Sequence, residues 1–530
     1  EAPLSEEDLA AALEALNLPE QVEIPDSSRR GLDVVGVIGP GEWGLAPNGF
    51  GNADGRFLST LMRRLDAPLP SRWTSILLRR ALLSRVNTPR AVNPADWVAE
   101  RAWLLLRMGE ADGARMLVQS VDVDRFTPKM FSIGVQTALA TADPAALCPL
   151  VGPGRETSDE PVWGLSDAIC AALAGDAGRA SALIDQARRR SRTGGIDLTL
   201  TEKVIGAGEN TRRAVTVQWD NVDTLNSWRF GLAAATGLEI PDRLIGGVGP
   251  HVRAWQARAP MLPLEQRVEA AQIAASLGVF SSASLVEMYS LIADGTDPSE
   301  IQQTVGGRLR EAYVARDPAA RVAAMRSLWD EAKNPVDRHA RSILTATAAS
   351  RIAPSEAFEA EAPALIASML TAGYDREAAR WLPVVGRMSS GEPADRAWAM
   401  LAVASPDWQA NAHSGFDAFR KSDASEEGYR SKLLLASLAG LGRIAPDEAA
   451  SLAGDMDLRF DAQNRWTRLL ESAVRSREPG TVVLLAAIGM QTGGWRGVPP
   501  EHLYHILSAL QRIGLSYEAR MIAAEAMARA

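Results

Sequence analysis

Residues 105–117 read LLRMGEADGARML. An apolar helical stretch stops at Gly109, a residue type that takes up a left-handed backbone without strain, and a second apolar-periodic stretch follows with Ala114 five positions on. A glycine of this kind ends one helix, and a small alanine lets the next helix cross it closely. The turn recurs as ALAGDAGRASAL (172–183), LTAGYDREAARWL (370–382) and LQRIGLSYEARMI (510–522), which pair Gly175 with Ala180, Gly373 with Ala378 and Gly514 with Ala519.

The flanking sequence fits helices on both sides. Asn93 and Pro94 suit the N-cap and first position of a helix running to Met108, with Asp96, Glu100 and Arg107 on its polar side. Asp112 can cap the next helix, whose stripe is Ala114, Leu117, Val118 and Val121. After Pro499-Pro500, Leu503, Ile506, Leu507 and Leu510 form one stripe; Ala519, Ile522, Ala523 and Ala526 form the last.

This turn resembles that of tetratricopeptide repeats and related bacterial helical repeats, which carry Gly, an aromatic residue a few positions on, and Ala at about this offset. Only Tyr374 and Tyr517 come near the aromatic position. The four glycines stand 66, 198 and 141 positions apart, so the period of about 34 residues is absent. The resemblance implies a degenerate solenoid. The expected fold is all-α, a right-handed α-solenoid of stacked helical hairpins with an extended Gly/Pro-rich N-terminal arm. Its parts are a short acidic helix and arm (1–56), an N-terminal helical repeat region (57–245) and a C-terminal one (246–530). Two further stretches break the helical grammar: 192–222, rich in Thr, Val and Gly, is expected to hide one β-hairpin, and 237–250 (GLEIPDRLIGGVGP) to act as a hinge.

The 530 residues exceed what one hydrophobic core usually organises, and 46% apolar with 23% charged residues is ordinary for a folded protein. A net charge of −9 gives no global attraction to nucleic acid or anionic lipid. Fifty-one of the 56 basic residues are Arg, which with the Ala-rich segments reads as the coding bias of a GC-rich bacterial genome. Apolar runs such as Val482–Met490 fall short of the roughly 18 residues that span a bilayer, so a soluble chain is expected. It starts at Glu1 without Met or signal-peptide pattern, which suits a removed leader or a trimmed chain. Cys148 and Cys170, 22 positions apart, suit one disulfide in an oxidising compartment. Against it, Cys148 is expected to end one helix and Cys170 to lie two turns into the next, with a Gly/Pro loop from Leu150 to Pro161 that has to fold back.

Candidate chemistry is sparse. In DVVGVIGPGEWG (33–44), Gly39, Gly41 and Gly44 match the spacing of a dinucleotide-binding turn, but Pro40 removes an N–H, Glu42 adds a negative charge, and Gly/Pro breakers follow where a helix is needed. The stretch reads instead as an arm lying across helices, anchored by Trp43 and Phe50. His502 and His505 lack the spacing and third ligand of a zinc site and read as a solvent-facing pair; His251, His339 and His413 are isolated. Glu471-Ser472 resembles the start of a lytic-transglycosylase catalytic motif, yet RWTRLLESAVRSREPG (465–480) continues as an amphipathic helix. The cluster QARRRSR (186–192) suits a helix C-terminus. Of the 14 tryptophans, Trp97, Trp103 and Trp381 sit on helical stripes and suit inter-helix packing.

These readings lead to a non-catalytic interaction scaffold, with no catalytic residues, cofactor or metal. Its partners are expected to be other proteins of a bacterial envelope complex, a second copy of the chain being admitted. No nucleic acid and no membrane span are expected, and the compartment is the periplasm, with the cytoplasm as alternative. The competing reading is a peptidoglycan-active enzyme or accessory with Glu471 as acid.

Overall fold

The structure, a computed structural model, describes residue 25 and residues 28–190, 195–208, 215–389, 391–408 and 412–530. The chain divides into two compact units, Glu1–Gly31 and Leu32–Ala530. In the first, the Ser28 N–H closes a turn on the Pro25 carbonyl at 2.8 Å. The short acidic helix expected near the chain start falls outside the described residues.

The second unit is all-α. Among its described residues the extended structure is one antiparallel ladder, Val34–Val35 with Val86–Asn87, and two isolated bridges. The four Gly–Ala turns have one geometry. Gly109, Gly175, Gly373 and Gly514 all have positive φ, between 81 and 89°. At Gly109, the Gly109 N–H donates to the Leu106 carbonyl and the Glu110 N–H to that of Leu105, the paired bonds of a Schellman motif. The residue after each glycine then serves as N-cap of the following helix: its carbonyl accepts from Ala114, Ala180, Ala378 or Ala519. The residue five positions after the glycine is the first whose N–H finds a partner within the new helix. All four alanines are fully buried. Glu110 therefore holds the cap position of Ala111–Gln119, where Asp112 had been expected. Asn93 caps Pro94–Arg107 through the Ala95 and Asp96 N–H groups as expected. Glu100, expected on that helix's polar side, is buried and paired with Lys129 and Arg63.

Cys148 and Cys170 form a disulfide, their Cα atoms 5.5 Å apart. The expected obstacle is absent because Cys148 opens the helix Cys148–Thr157, and Cys170 lies in the last turn of the next helix, Pro161–Leu173. Two consecutive helices joined by a three-residue link double back, which brings the start of one beside the end of the other. The expected Gly/Pro loop is thus largely helix. Pro149 sits in the first turn, where no intrahelical N–H bond is required. Leu150 and Val151 bury, and a Cβ on Gly154 would lie 2.5 Å from the Trp163 ring. Gly154 serves close packing here and does not break the helix.

The hairpin expected within 192–222 is replaced by the helix Ile196–Gly208; residues 192–194 and 209–214 fall outside the described residues. The helix buries Leu198, Leu200, Val204 and Ile205, and Thr201 returns its hydroxyl to the Asp197 carbonyl, so Thr does not oppose the helix. In the stretch expected to be a hinge, Asp242–Ile245 forms a short helix with Leu244 and Ile245 buried and Arg243 bound to the Val222 carbonyl.

Helices distant in sequence close the unit. Arg72–Leu83 packs on Pro479–Gly489 and on Ser516–Arg529, near the other end of the chain. The buried Glu525 carboxylate sits at the N-terminus of the first of these, accepting from Ser71 Oγ (2.7 Å), Arg72 N–H (2.9 Å) and Trp73 N–H (3.1 Å). A negative charge at a helix N-terminus meets both orphan N–H groups and the positive end of the dipole.

Candidate functional site

Where these distant helices meet, the unit holds a cavity of about 1050 Å³. Pro318–Asp330, Pro335–Ser350, Ala362–Thr371 and Glu392–Ala404 supply one part of its wall. Arg72–Leu83, the Trp495 turn and Ser516–Arg529 supply the other. In a chain of net charge −9, six arginines and four carboxylates line it.

The arginines divide by what they hold. Arg72 is fully buried and gives its fork to three carbonyls, Ala275 (2.9 Å), Thr371 (2.8 Å) and Phe280 (3.2 Å), tying together chain segments about 200 and 300 residues away. Burial lowers its pKa to about 10, with Glu525 opposing, and it stays charged at neutral pH. Arg529 pairs with Glu525 and donates to the Pro70 carbonyl; Arg326 pairs with Glu361. Arg396 donates to the Ala528 carbonyl at 2.9 Å. The guanidinium groups of Arg338 and Arg496, both exposed, make no hydrogen bond or ion pair with a described residue.

Two nitrogens of residues in the same wall have no hydrogen-bond partner among the described residues. His339 Nε2 and Trp495 Nε1 are buried without a hydrogen bond, in residues 8% and 4% exposed. The nearest carboxylate oxygen recorded for His339 Nε2 is Glu525 Oε1, at 4.0 Å. Burial, reinforced by Arg529 and Arg72, holds the imidazole well below the usual histidine range, so it is neutral at pH 7. The other two tryptophans of the wall are satisfied: Trp73 donates to the Leu370 carbonyl and Trp329 to Thr345 Oγ1.

The residues singled out in the sequence lie elsewhere. Phe50 is buried edge-on against Trp97 at 5.2 Å and beneath Gly480, while the Trp43 ring is 77% exposed, its carbonyl held by Arg80 Nε and its face toward the Arg80 guanidinium. In the glycine turn, Glu42 Oε2 accepts the Gly39 N–H at 2.9 Å, so a carboxylate holds an N–H that a phosphate would need. His502 and His505 are half-buried around Trp466, His502 stacked on the ring at 4.4 Å and bonded to the Gly489 carbonyl. Both rings are thus partly covered by packing on Trp466 and partly open to solvent. Glu471 is gripped at both oxygens by Arg512 (2.6 and 2.8 Å), which holds its carboxyl below the usual range. Of the basic cluster, Gln186–Arg190 closes the helix Ala177–Arg190, and Arg188 pairs with Asp185 and Glu202. Trp97 and Trp381 are fully buried, and Arg107 lies over Trp103.

No protein family, curated protein or solved structure matches this chain.

Sequence reasoning missed Arg72, His339 and Glu525. A signal for Glu525 was present: it lies beside the stripe of the last helix, between Ala523 and Ala526, where a carboxylate buries only with an internal partner.

Proposed function

We propose that this chain is a non-catalytic protein–protein interaction scaffold, a structural or accessory component of a bacterial cell-envelope assembly. The observation that carries the reading is the use made of buried charge around the cavity. Arg72, Glu525 and Arg529 are spent on holding helix ends together, and a large cleft lined by Trp, Pro and Arg remains for a partner. The shared geometry of the four Gly–Ala turns supports a degenerate, tetratricopeptide-like set of hairpins in a right-handed superhelix, with the stretch around Trp43 and Phe50 as an arm across it. The Cys148–Cys170 bond supports residence in an oxidising compartment, the periplasm. No helix among the described residues is long and apolar enough to cross a membrane.

Glu471 does not favour the enzyme reading. A general acid needs a raised pKa, and Arg512 lowers this one. Cross-linking in intact cells followed by affinity purification from the envelope fraction tests the scaffold. A stoichiometric complex is the expected result, and peptidoglycan turnover by the purified protein, abolished by Glu471→Gln, would reverse the conclusion.

A further inference from the structure

Six arginines against four carboxylates line the cavity at the helix junction. Arg338 and Arg496 are exposed and make no hydrogen bond or ion pair with a described residue, and Arg396 lies near Arg338. Burial lowers the pKa of Arg396, Glu392 opposes this, and Arg430 and Arg338 lower it further, so guanidinium groups crowd this end of the wall. The carboxylates there without a close ion pair, Asp330 and Glu392, are both exposed, and the wall keeps an excess of arginine.

The second observation concerns the kind of anion. The volume, about 1050 Å³, stands at the top of the range of roughly 300–1,000 Å³ for small-molecule pockets. Trp73, Trp329, Pro335, Pro363 and Pro393 give the wall flat apolar surfaces against which a chain can lie.

We propose that the cavity receives an acidic segment of a partner protein, its carboxylates on Arg338, Arg396 and Arg496. The assignment rests on the scaffold reading and names the partner's chemistry. Recognition of this kind is charge-complementary, so it weakens as salt screens it.

The test uses the full chain and a fluorescein-labelled, capped oligoglutamate, with oligoglutamine of the same length as control, read by fluorescence anisotropy. Oligoglutamate is expected to bind and oligoglutamine not. Arg338→Glu with Arg496→Glu is expected to weaken binding by about tenfold or more. Both residues are exposed and make no hydrogen bond or ion pair with a described residue, so circular dichroism and the melting midpoint should be unchanged, which separates lost binding from lost fold. The proposal is overturned if oligoglutamate binds no better than oligoglutamine, or if charge reversal leaves the affinity within about twofold. Displacement by inorganic phosphate at matched charge would place a small anion there and overturn the peptide assignment. An envelope complex that forms equally well on the double variant sinks this inference and leaves the scaffold standing. Oligoglutamate binding without any envelope complex does the reverse.

Discussion

Replacing Glu525 with alanine removes the acceptor that joins the two ends of the helical unit. Its carboxylate takes the Ser71 hydroxyl and the Arg72 and Trp73 N–H groups, and pairs with Arg529. Truncation leaves buried donors at a helix N-terminus unsatisfied and two guanidinium groups without their counter-charge, a change that costs about 3–5 kcal/mol when a buried pair is broken. Unfolding entropy is about 2.1 cal/mol/K per residue, which for the unit Leu32–Ala530 comes to about 1 kcal/mol/K. The expected fall in melting midpoint is therefore about 3–5 °C. Circular dichroism melts at neutral pH measure it, with Glu525→Gln as the isosteric control, expected to fall between wild type and alanine. Amide exchange should quicken in Arg72–Leu83 and Ser516–Arg529, while Pro161–Leu173 keeps its protection. An alanine variant melting within about 1 °C of wild type would refute the argument that this carboxylate closes the unit.

Mass spectrometry of non-reduced protein should find one link joining the Cys148 and Cys170 peptides; the bond closes a 22-residue separation, and removing both thiols should cost about 3 kcal/mol by loop-closure entropy. Free thiols in protein isolated without reductant would contradict it. His339 is held neutral in the folded state, its pKa well below the unfolded value of about 6.5, so the unfolded chain binds the extra proton in acid and stability falls as pH drops below that value. The loss is at most about 1.4 kcal/mol per pH unit; melts at pH 7 and 5 should show a smaller drop for His339→Gln, and an equal drop would exclude His339 as the cause. Gly514→Ala, at positive φ with open space around the new Cβ, should cost about 1 kcal/mol. Gly109→Ala should cost more, because its Cβ would lie 2.7 Å from that of Ala254; equal losses in denaturant titrations would show that packing across this turn plays no part.

The helical hairpins were legible because their signals are local. A Schellman glycine, a first-turn proline or an Asn cap is satisfied within a few residues, and the Gly–Ala offset spans one helix N-terminus. Composition misled where packing decides. The residues 150–161 look like a loop by Gly and Pro content, yet Gly154 is there to admit the Trp163 ring, Pro153 lies inside the helix Cys148–Thr157, and Pro161 opens the next one. Cysteine pairing was legible, though the direction of the intervening helices was not. The cavity was illegible because Glu525 and Arg72 meet across more than 450 positions, and His339 reads as isolated until the fold sets it beside them.

The arginine bias also acquires a physical use. Arg101 is fully buried, its fork on the carbonyls of Leu82, Val35 and Ser84, and burial pushes it down to about 9. Arg443 does the same for Ser405 and Trp408. A lysine, with one ammonium head, cannot reach two or three carbonyls in a plane. Helix-end chemistry thus explains why particular arginines are buried.

The scaffold reading meets its most direct test in cross-linking within intact cells, followed by purification of the tagged chain from the envelope fraction and quantification of what comes with it. The account predicts a defined protein partner in fixed ratio, lost when Arg338 and Arg496 are both reversed to Glu. Recovery of the chain alone, from cells in which it is abundant and folded, would contradict it.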